Sequence, residues 1–515
     1  MACTPPDADA GLAFPSAPPS SDASESGGVL REEDVLAFAP PQASTDDLLA
    51  RPEASSACAG AADAGTSSHD ADSGGGATIL ELLRFTLPTM AIWLASPVLS
   101  LVDASVVGSR SVTELAALTP GTVMVDYVAY IFSFLGIATT NILSVTIAEG
   151  NHSLTRLRLN DALALALACG VALGACIFFG SGHIFPMLIN AQSAGDLVGP
   201  AGIYAGIRAL GIPFAFIGMV FQCAFLAAKN TRVPLIATVV AGLVNLVGDL
   251  ALVPSTGIAG AAWATVASQI VAVLLLYKAA AADLAGTPFK LEARLPELSS
   301  LLKFVRIAGP VSLILLSKVV VFCTVSFCAT NLGAVGSAAH ALMFSVFLFF
   351  CVPGDALNQC AQTFLPPVRG RPAEEVSLKR RLLWTGALVG LGNAALGGGI
   401  LLGLPDLLTT SDVVVSSIRQ VAPVVMAVLL LHPFGISTEG VLMATQHFTY
   451  LLATYAFNMV FMLGLVKAAV VSGPTLSKVW LCMLSMQMLR LLANLARVGG
   501  QLVPRKIGGA FAKAA

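Results

Sequence analysis

A dozen apolar runs, each long enough to cross a bilayer, punctuate this chain from residue 82 onward and decide what it can fold into. About 20 consecutive apolar residues span the hydrocarbon core as a helix. No water is available there, so every backbone N–H must find its acceptor within the protein, and open strands facing lipid are excluded. Apolar residues make up 56% of the chain and charged residues only 11%, with a mean hydropathy of +0.82. A soluble domain carries roughly 25% charged residues. The expectation is an all-α membrane protein with twelve transmembrane helices, the first over 82–106, the ninth over 381–404 and the last over 477–499.

Residues 1–77 differ in kind. They hold 13 acidic and 2 basic side chains, are rich in Ala, Ser, Pro, Gly and Asp, and contain no long apolar run. Such a stretch buries too little surface to offset its ordering entropy, so it reads as a disordered tail. It lacks the apolar segment of a secretory signal and is too acidic for an ordinary transit peptide. Val35-Leu36-Ala37-Phe38-Ala39-Pro40 resembles a short element of some algal plastid presequences, so the plastid envelope joins the plasma membrane and other organelle membranes as a candidate location. Beyond the tail, 17 acidic and 26 basic residues leave nine surplus cations. Many fall in alternate connections, with Arg156 and Arg158 after span two, Lys229 and Arg232 after span four, and Arg369 to Arg381 after span eight. The positive-inside rule puts both termini on the cytoplasmic or equivalent side.

The chain repeats itself. Leu83-Arg84-Phe85 through Pro88 opens span one, and Leu302-Lys303-Phe304 through Pro310 opens span seven. Ile184-Phe185-Pro186-Met187-Leu188 ends span three much as Gly403-Leu404-Pro405-Asp406-Leu407 ends span nine. Two six-helix lobes follow, 78–285 and 301–500, joined by the 286–300 loop and followed by a basic tail at 501–515. Six is even, so both lobes enter from the same side. That is a parallel repeat about a pseudo-two-fold axis along the membrane normal, with a site expected between the lobes.

Ionisable groups inside spans are costly and are functional candidates by default. Asp103 lies 19 residues past Arg84 and Asp249 lies 17 past Arg232. At 1.5 Å per residue both sit roughly 26–28 Å up, at similar height in lobe one. Asn245 is one turn below Asp249 on the same face, and Gly242 shares that face. Lys318, roughly 18 Å above Arg306, stands near the bilayer centre. It reads either as a cavity lysine for an organic anion or as one half of a permanent pair with Asp355 or Asp126. Asp355, Gln359 and Gln362 on span eight, and Glu439 on span ten, are candidate cavity-lining residues. His340 and His432 read as polar packing groups. Ten cysteines show no zinc-ligand spacing, so no metal or cofactor is expected. No phosphate-cradling loop is present, which argues against an ATP-driven pump. Neither His-Glu-x-x-His nor paired Gly-x-x-Asp appears within spans, which argues against a membrane-embedded enzyme. Twelve spans with few buried charges read as a carrier.

Leu99-Ser100-Leu101-Val102-Asp103 with Gly108, and Pro88 fifteen residues before Asp103, resemble the first helix of the MATE carriers (multidrug and toxic-compound extrusion). Asn245-x-x-x-Asp249 resembles helix five of the DinF-like branch. Gly257-Ile-Ala-Gly-Ala-Ala-Trp-Ala-Thr265 resembles the entry to helix six. Phe304-Val-Arg-Ile-Ala-Gly-Pro310 and Cys328-Ala-Thr-Asn331 are most similar to plant plastid-envelope members. The resemblance spans about 80–500. It implies secondary active, cation-coupled (H⁺ or Na⁺) antiport of small organic molecules by alternating access. The coupling site would be Asp103, Asn245, Asp249 and Thr265, and the helix hinge Pro88. The cavity residues would be Lys318, Asp355, Gln359 and Gln362. The expected partners are a small organic substrate, an organic anion among the candidates, and the lipid bilayer. No nucleic acid is expected, and the chain reads as a monomer. The alternative is a lipid or lipid-linked sugar flippase of the same superfamily. That would favour several basic residues in the cavity, where one central lysine is found.

Overall fold

The structure, a computed structural model, describes residues 77–502 apart from 189–190, 285, 287, 293–297, 331, 408, 410 and 474. The acidic tail before residue 77, residues 287 and 293–297 of the 286–300 loop, and nearly all of the basic C-terminal tail lie outside the described residues. Twelve helices among the described residues are long and apolar enough to cross a membrane. In chain order the first six are α1 (Ile79–Arg110), α2 (Thr113–Ala148), α3 (His152–Leu188), α4 (Ala191–Ala227), α5 (Arg232–Thr256) and α6 (Ile258–Ala282). The second six are α7 (Leu298–Thr330), α8 (Gly333–Phe364), α9 (Pro372–Gly403), α10 (Asp412–Ala444), α11 (Phe448–Val471) and α12 (Leu476–Leu502). The face that carries residues 77 and 502 is called the inner face below.

Several helices begin before their apolar runs do. α9 starts at Pro372 rather than near 381, because Pro at the first position and Glu374 and Glu375 in the first turn favour a helix N-terminus. Lys379 then donates to Glu375 across one turn at 2.5 Å. α3 starts at His152 and takes Arg156 and Arg158, expected in a connection, into its first two turns. Charged turns that project past the hydrocarbon are invisible to a hydropathy reading.

The helix pairings of the first six recur in the second six at an offset of six. α3 packs on α4 as α9 does on α10, α4 on α6 as α10 on α12, and α1 on α5 as α7 on α11. The crossings repeat at atomic detail. A Cβ on Gly174 would lie 2.6 Å from the Ala209 carbonyl oxygen, and one on Gly390 would lie 2.2 Å from that of Leu430. Gly170 and Gly174 on α3, and Gly386 and Gly390 on α9, are thus two copies of the small-xxx-small device that brings backbones together in lipid. The helix ends repeat too. Lys229 (φ 59°) closes α4 and Gln446 (φ 61°) closes α10. In each case the next residue's N–H reaches the carbonyl five residues back: Asn230 to Phe225 and His447 to Leu442, both at 2.9 Å. These are matching Schellman caps. Gly390→Ala is expected to destabilise the protein by about 1–3 kcal/mol, because its methyl meets backbone and the helices must separate. The shift in the thermal midpoint in detergent checks this.

α2 is the irregular element. It runs as α-helix over Val112–Thr122, as a π-helical turn over Val123–Tyr127, and as a 3₁₀ turn over Ile131–Ser133 before resuming as Phe134–Ala148. α1 is uneven in a different way. Its buried residues are Leu82, Phe85, Thr86, Thr89 and Ile92, then none until Asp103 and Val107. Pro88 and Pro97 both lie inside this helix. Pro88 is therefore not a first-turn proline, and Pro97 falls in the stretch that no core residue anchors.

Candidate functional site

Lobe one brings its acids together. Asp103 on α1 is 6% exposed, and Asn245 and Asp249 on α5 are 2% and 0% exposed. α1 can approach because Gly242 leaves room for Leu99, 3.5 Å from where a Cβ would stand. α6 approaches α5 at Gly248, whose Cβ would meet that of Ala264 at 2.7 Å. Asp103 and Asp249 lie within interaction range of one another, and Asn245 of Asp103, yet no hydrogen bond joins the two acids. The Asn245 amide also donates to the Thr265 hydroxyl at 3.4 Å, and that hydroxyl donates to the Ala261 carbonyl at 3.0 Å. So the four residues expected at a coupling site, from three helices, converge.

Their chemistry is unusual for a protein interior. Both Asp249 oxygens and Oδ1 of Asp103 are buried without a donor. An ionised carboxylate only accepts hydrogen bonds. Two facing acceptors in a poorly hydrated site repel unless a proton or a cation lies between them. Among the described residues no cluster of three or more His, Cys, Asp or Glu could hold a metal.

Arg208 and Asp126 belong to the same neighbourhood, and the sequence did not single them out for it. Arg208 on α4 donates to Asp126 Oδ1 at 2.7 Å and to the Tyr204 hydroxyl at 2.8 Å. Asp126 sits in the π turn of α2. It is thus committed to Arg208 and is not a partner of Lys318.

Lys318 has another partner, and this corrects both expected pairs. Its ammonium donates to Glu439 Oε1 at 2.6 Å, and Glu439 is fully buried. The Tyr455 hydroxyl donates to the other Glu439 oxygen. The chain continues through Arg490, which donates to the Tyr455 hydroxyl at 3.5 Å and to Gln487 Oε1 at 2.5 Å, and the Gln487 amide nitrogen lies 2.9 Å from His432 Nδ1. Asp355 is exposed to solvent-accessible space, yet it lies within electrostatic reach of Lys318, Glu439 and Arg490. Tyr130 of α2, 43% exposed, lies within electrostatic reach of the same group from lobe one. Ser317, Lys318, Phe322, Tyr455, Asn458 and Arg490 line a small pocket here. This pocket wall comes from lobe two and includes Lys318 but not Asp355. Beside the one central lysine, sequence reasoning missed Arg490, whose position inside span twelve was the available signal; Tyr455 and Tyr130 carried none.

Gln359 and Gln362, expected on that wall, are placed elsewhere. They are 6% and 1% exposed and seal the lobes together toward the inner face. Gln359 donates to the Thr140 hydroxyl at 2.8 Å, and Asn141 donates to Gln362 Oε1 at 2.9 Å. Phe85 meets Phe364 edge-on at 5.4 Å, and Lys229 stands 4.6 Å over the Phe364 ring. Amides bury equally well in a seam or a wall, and only the helix ends decide. These lie near the inner end of α8, opposite the inner end of α2. Gln362→Ala removes bonds that hold the seam shut. It is expected to raise alkylation of Cys360, fully buried beside it, several-fold in a variant whose other cysteines are serine. Mass spectrometry of the labelled peptide reads the change.

Comparison with known proteins places this architecture. The MatE family model matches residues 88–250. Protein DETOXIFICATION 47, chloroplastic, of Arabidopsis thaliana is 34% identical over 376 residues, covering 71% of this chain and 67% of that protein. The chain belongs to the MATE family. Protein DETOXIFICATION 44, chloroplastic, of the same plant is 25% identical over 460 residues, 85% of this chain and 86% of the relative. A MOP-superfamily transporter from Pyrococcus furiosus superposes with a TM-score of 0.73 at 19% identity, over 82% of this chain and 96% of that one. This MATE protein is thus an integral, multi-pass membrane transporter, and its relatives are carriers of the same fold rather than enzymes.

Proposed function

We propose that this MATE transporter is a cation-coupled antiporter that exports small organic molecules, with Asp103, Asn245, Asp249 and Thr265 as its coupling site. The carrying observation is the pair of facing, donorless carboxyls inside lobe one. A proton or Na⁺ entering from one side cancels one of the pair's two charges and relieves their repulsion; its loss on the other side makes the acids repel. Proton uptake converts one acceptor into a donor to the other. Na⁺ would accept the carboxylate, amide and hydroxyl oxygens together. The outer part of α1 would respond, because its inner part is held by the seam while none of residues 93–102 is buried. Pro88 and Pro97 each lack an N–H and interrupt the ladder, so bending there is cheap. The substrate would occupy the space bounded by Lys318, Asp355 and Tyr130. An anionic substrate would compete with Glu439 for the Lys318 ammonium.

The inner face would be cytoplasmic or stromal, given the basic connections that lie there. The chloroplastic relatives support a plastid envelope, and a monomer contains both lobes of the cavity. The test is uptake of rhodamine 6G and of fluorescein by proteoliposomes under an imposed pH gradient, and separately under a Na⁺ gradient. Concentrative movement with one gradient and not the other identifies the ion. Movement indifferent to both removes the antiport reading.

A further inference from the structure

Arg208 is buried to 8% exposure inside lobe one, and such a charge needs compensation. Two of its five N–H groups donate to Asp126 and to the Tyr204 hydroxyl. Its Nε is buried with no acceptor. Its charge acts on Asp103 of the coupling pair, and the Asp103 charge acts on it in turn. The guanidinium thus holds one acid, Asp126, and acts at longer range on Asp103, whose Oδ1 lacks a donor. The charged groups around it are Asp103 from α1, Asp126 from α2, Tyr204 from its own helix and Asp249 beyond Asp103 on α5.

Asp126 is the other half of the argument. Its side chain is 45% exposed, so its attachment to Arg208 is not enforced by burial. It lies in the π turn Val123–Tyr127, and a 3₁₀ turn follows at Ile131–Ser133. Two departures from the α pattern within one span mark a segment with alternative hydrogen-bond registers. Tyr130 stands between the two turns and lies within electrostatic reach of Lys318, Asp355 and Glu439 of lobe two. The segment 123–133 is thus tied at one end, through Asp126, to Arg208, and at the other packs against α7, the helix that carries Lys318.

We propose that Arg208 is a positioning residue that couples the ion occupancy of Asp103 and Asp249 to the register of α2 and so to Tyr130. With a proton or cation on the acid pair, Arg208 stays with Asp126 and the π turn is held. With both acids ionised, two charges draw the guanidinium toward α1 and α5. Asp126 is then released, the π turn relaxes, and Tyr130 moves relative to Lys318 and Asp355. The inference rests on the coupling role of Asp103 and Asp249.

The test is pulsed electron paramagnetic resonance on the full chain in nanodiscs, with spin labels at Thr113→Cys on α2 and Gly199→Cys on α4, native cysteines being replaced by serine. The parent is expected to change its distance distribution between pH 5 and pH 8. Arg208→Gln and Asp126→Asn are each expected to abolish that change, and Arg208→Lys to restore part of it because the charge remains. A purely structural arginine would not show this graded rescue. Asp249→Asn is expected to abolish the change as well. A pH response lost in Asp249→Asn but intact in folded Arg208→Gln overturns the role of Arg208 and leaves the acids in place. A response intact in Asp249→Asn overturns the acid assignment and the proposal with it, as does a parent with no response.

Discussion

Asp249→Asn is expected to collapse gradient-driven accumulation to the equilibrium value while leaving substrate binding and passive exchange intact. One proton exchanged per substrate across one pH unit is worth about 1.4 kcal/mol, which is an accumulation ratio of roughly tenfold. The mutant ratio should be near one. The amide cannot ionise, so no cation is taken up or released at that position. The same substitution should stabilise the protein. The amide supplies a donor to Asp103 Oδ1, which lacks one, where the parent sets acceptor against acceptor. A gained hydrogen bond of this kind contributes about 1 kcal/mol. Lost coupling with a raised unfolding midpoint is the signature of an acid kept for function against stability. Unaltered accumulation by the mutant would remove Asp249 from the coupling site, and a fall in both readouts would mark it as structural.

The lobe-one site was readable in the sequence for a physical reason. Asp103, Asn245 and Asp249 stand in otherwise apolar helices, and 1.5 Å per residue fixes their height. Facing at equal height then follows if α1 and α5 are neighbours, and the structure makes them neighbours through Gly242 and Leu99. The twelve helices were readable for the same reason. Arg208 was visible as a charge, but its partner is 82 residues away in a π turn that breaks helical arithmetic. Gln359 and Gln362 were visible as polar residues near a helix end, yet their role depends on which face of the protein is closed, and residue spacing carries no information about that. Lys318 was offered Asp355 or Asp126 as a partner, and its ion pair is with Glu439. The distance along the chain to Glu439 is 121 residues, and only the pairing of α7, α10 and α11 around one point reveals it.

That partner makes a second large effect expected. Glu439→Gln should destabilise lobe two by about 3–5 kcal/mol, the cost of stranding a buried charge by removing its counterion. The shape is kept, and the amide oxygen still accepts from Tyr455, so the loss isolates the charge. Two cations are affected, since Lys318 and Arg490 both act on Glu439. Adding Lys318→Met should recover most of the loss, because replacing both members of a buried pair is close to neutral. The stable double variant then separates structure from transport. If the Lys318 ammonium exchanges Glu439 for a substrate carboxylate, fluorescein binding should weaken about tenfold or more in the double variant, with rhodamine 6G unaffected. Equal binding of both dyes by the rescued protein would mean that the ammonium serves only Glu439. In that case recognition would rest on Asp355 and the rings of Tyr130 and Tyr455, a set that favours an organic cation over an anion.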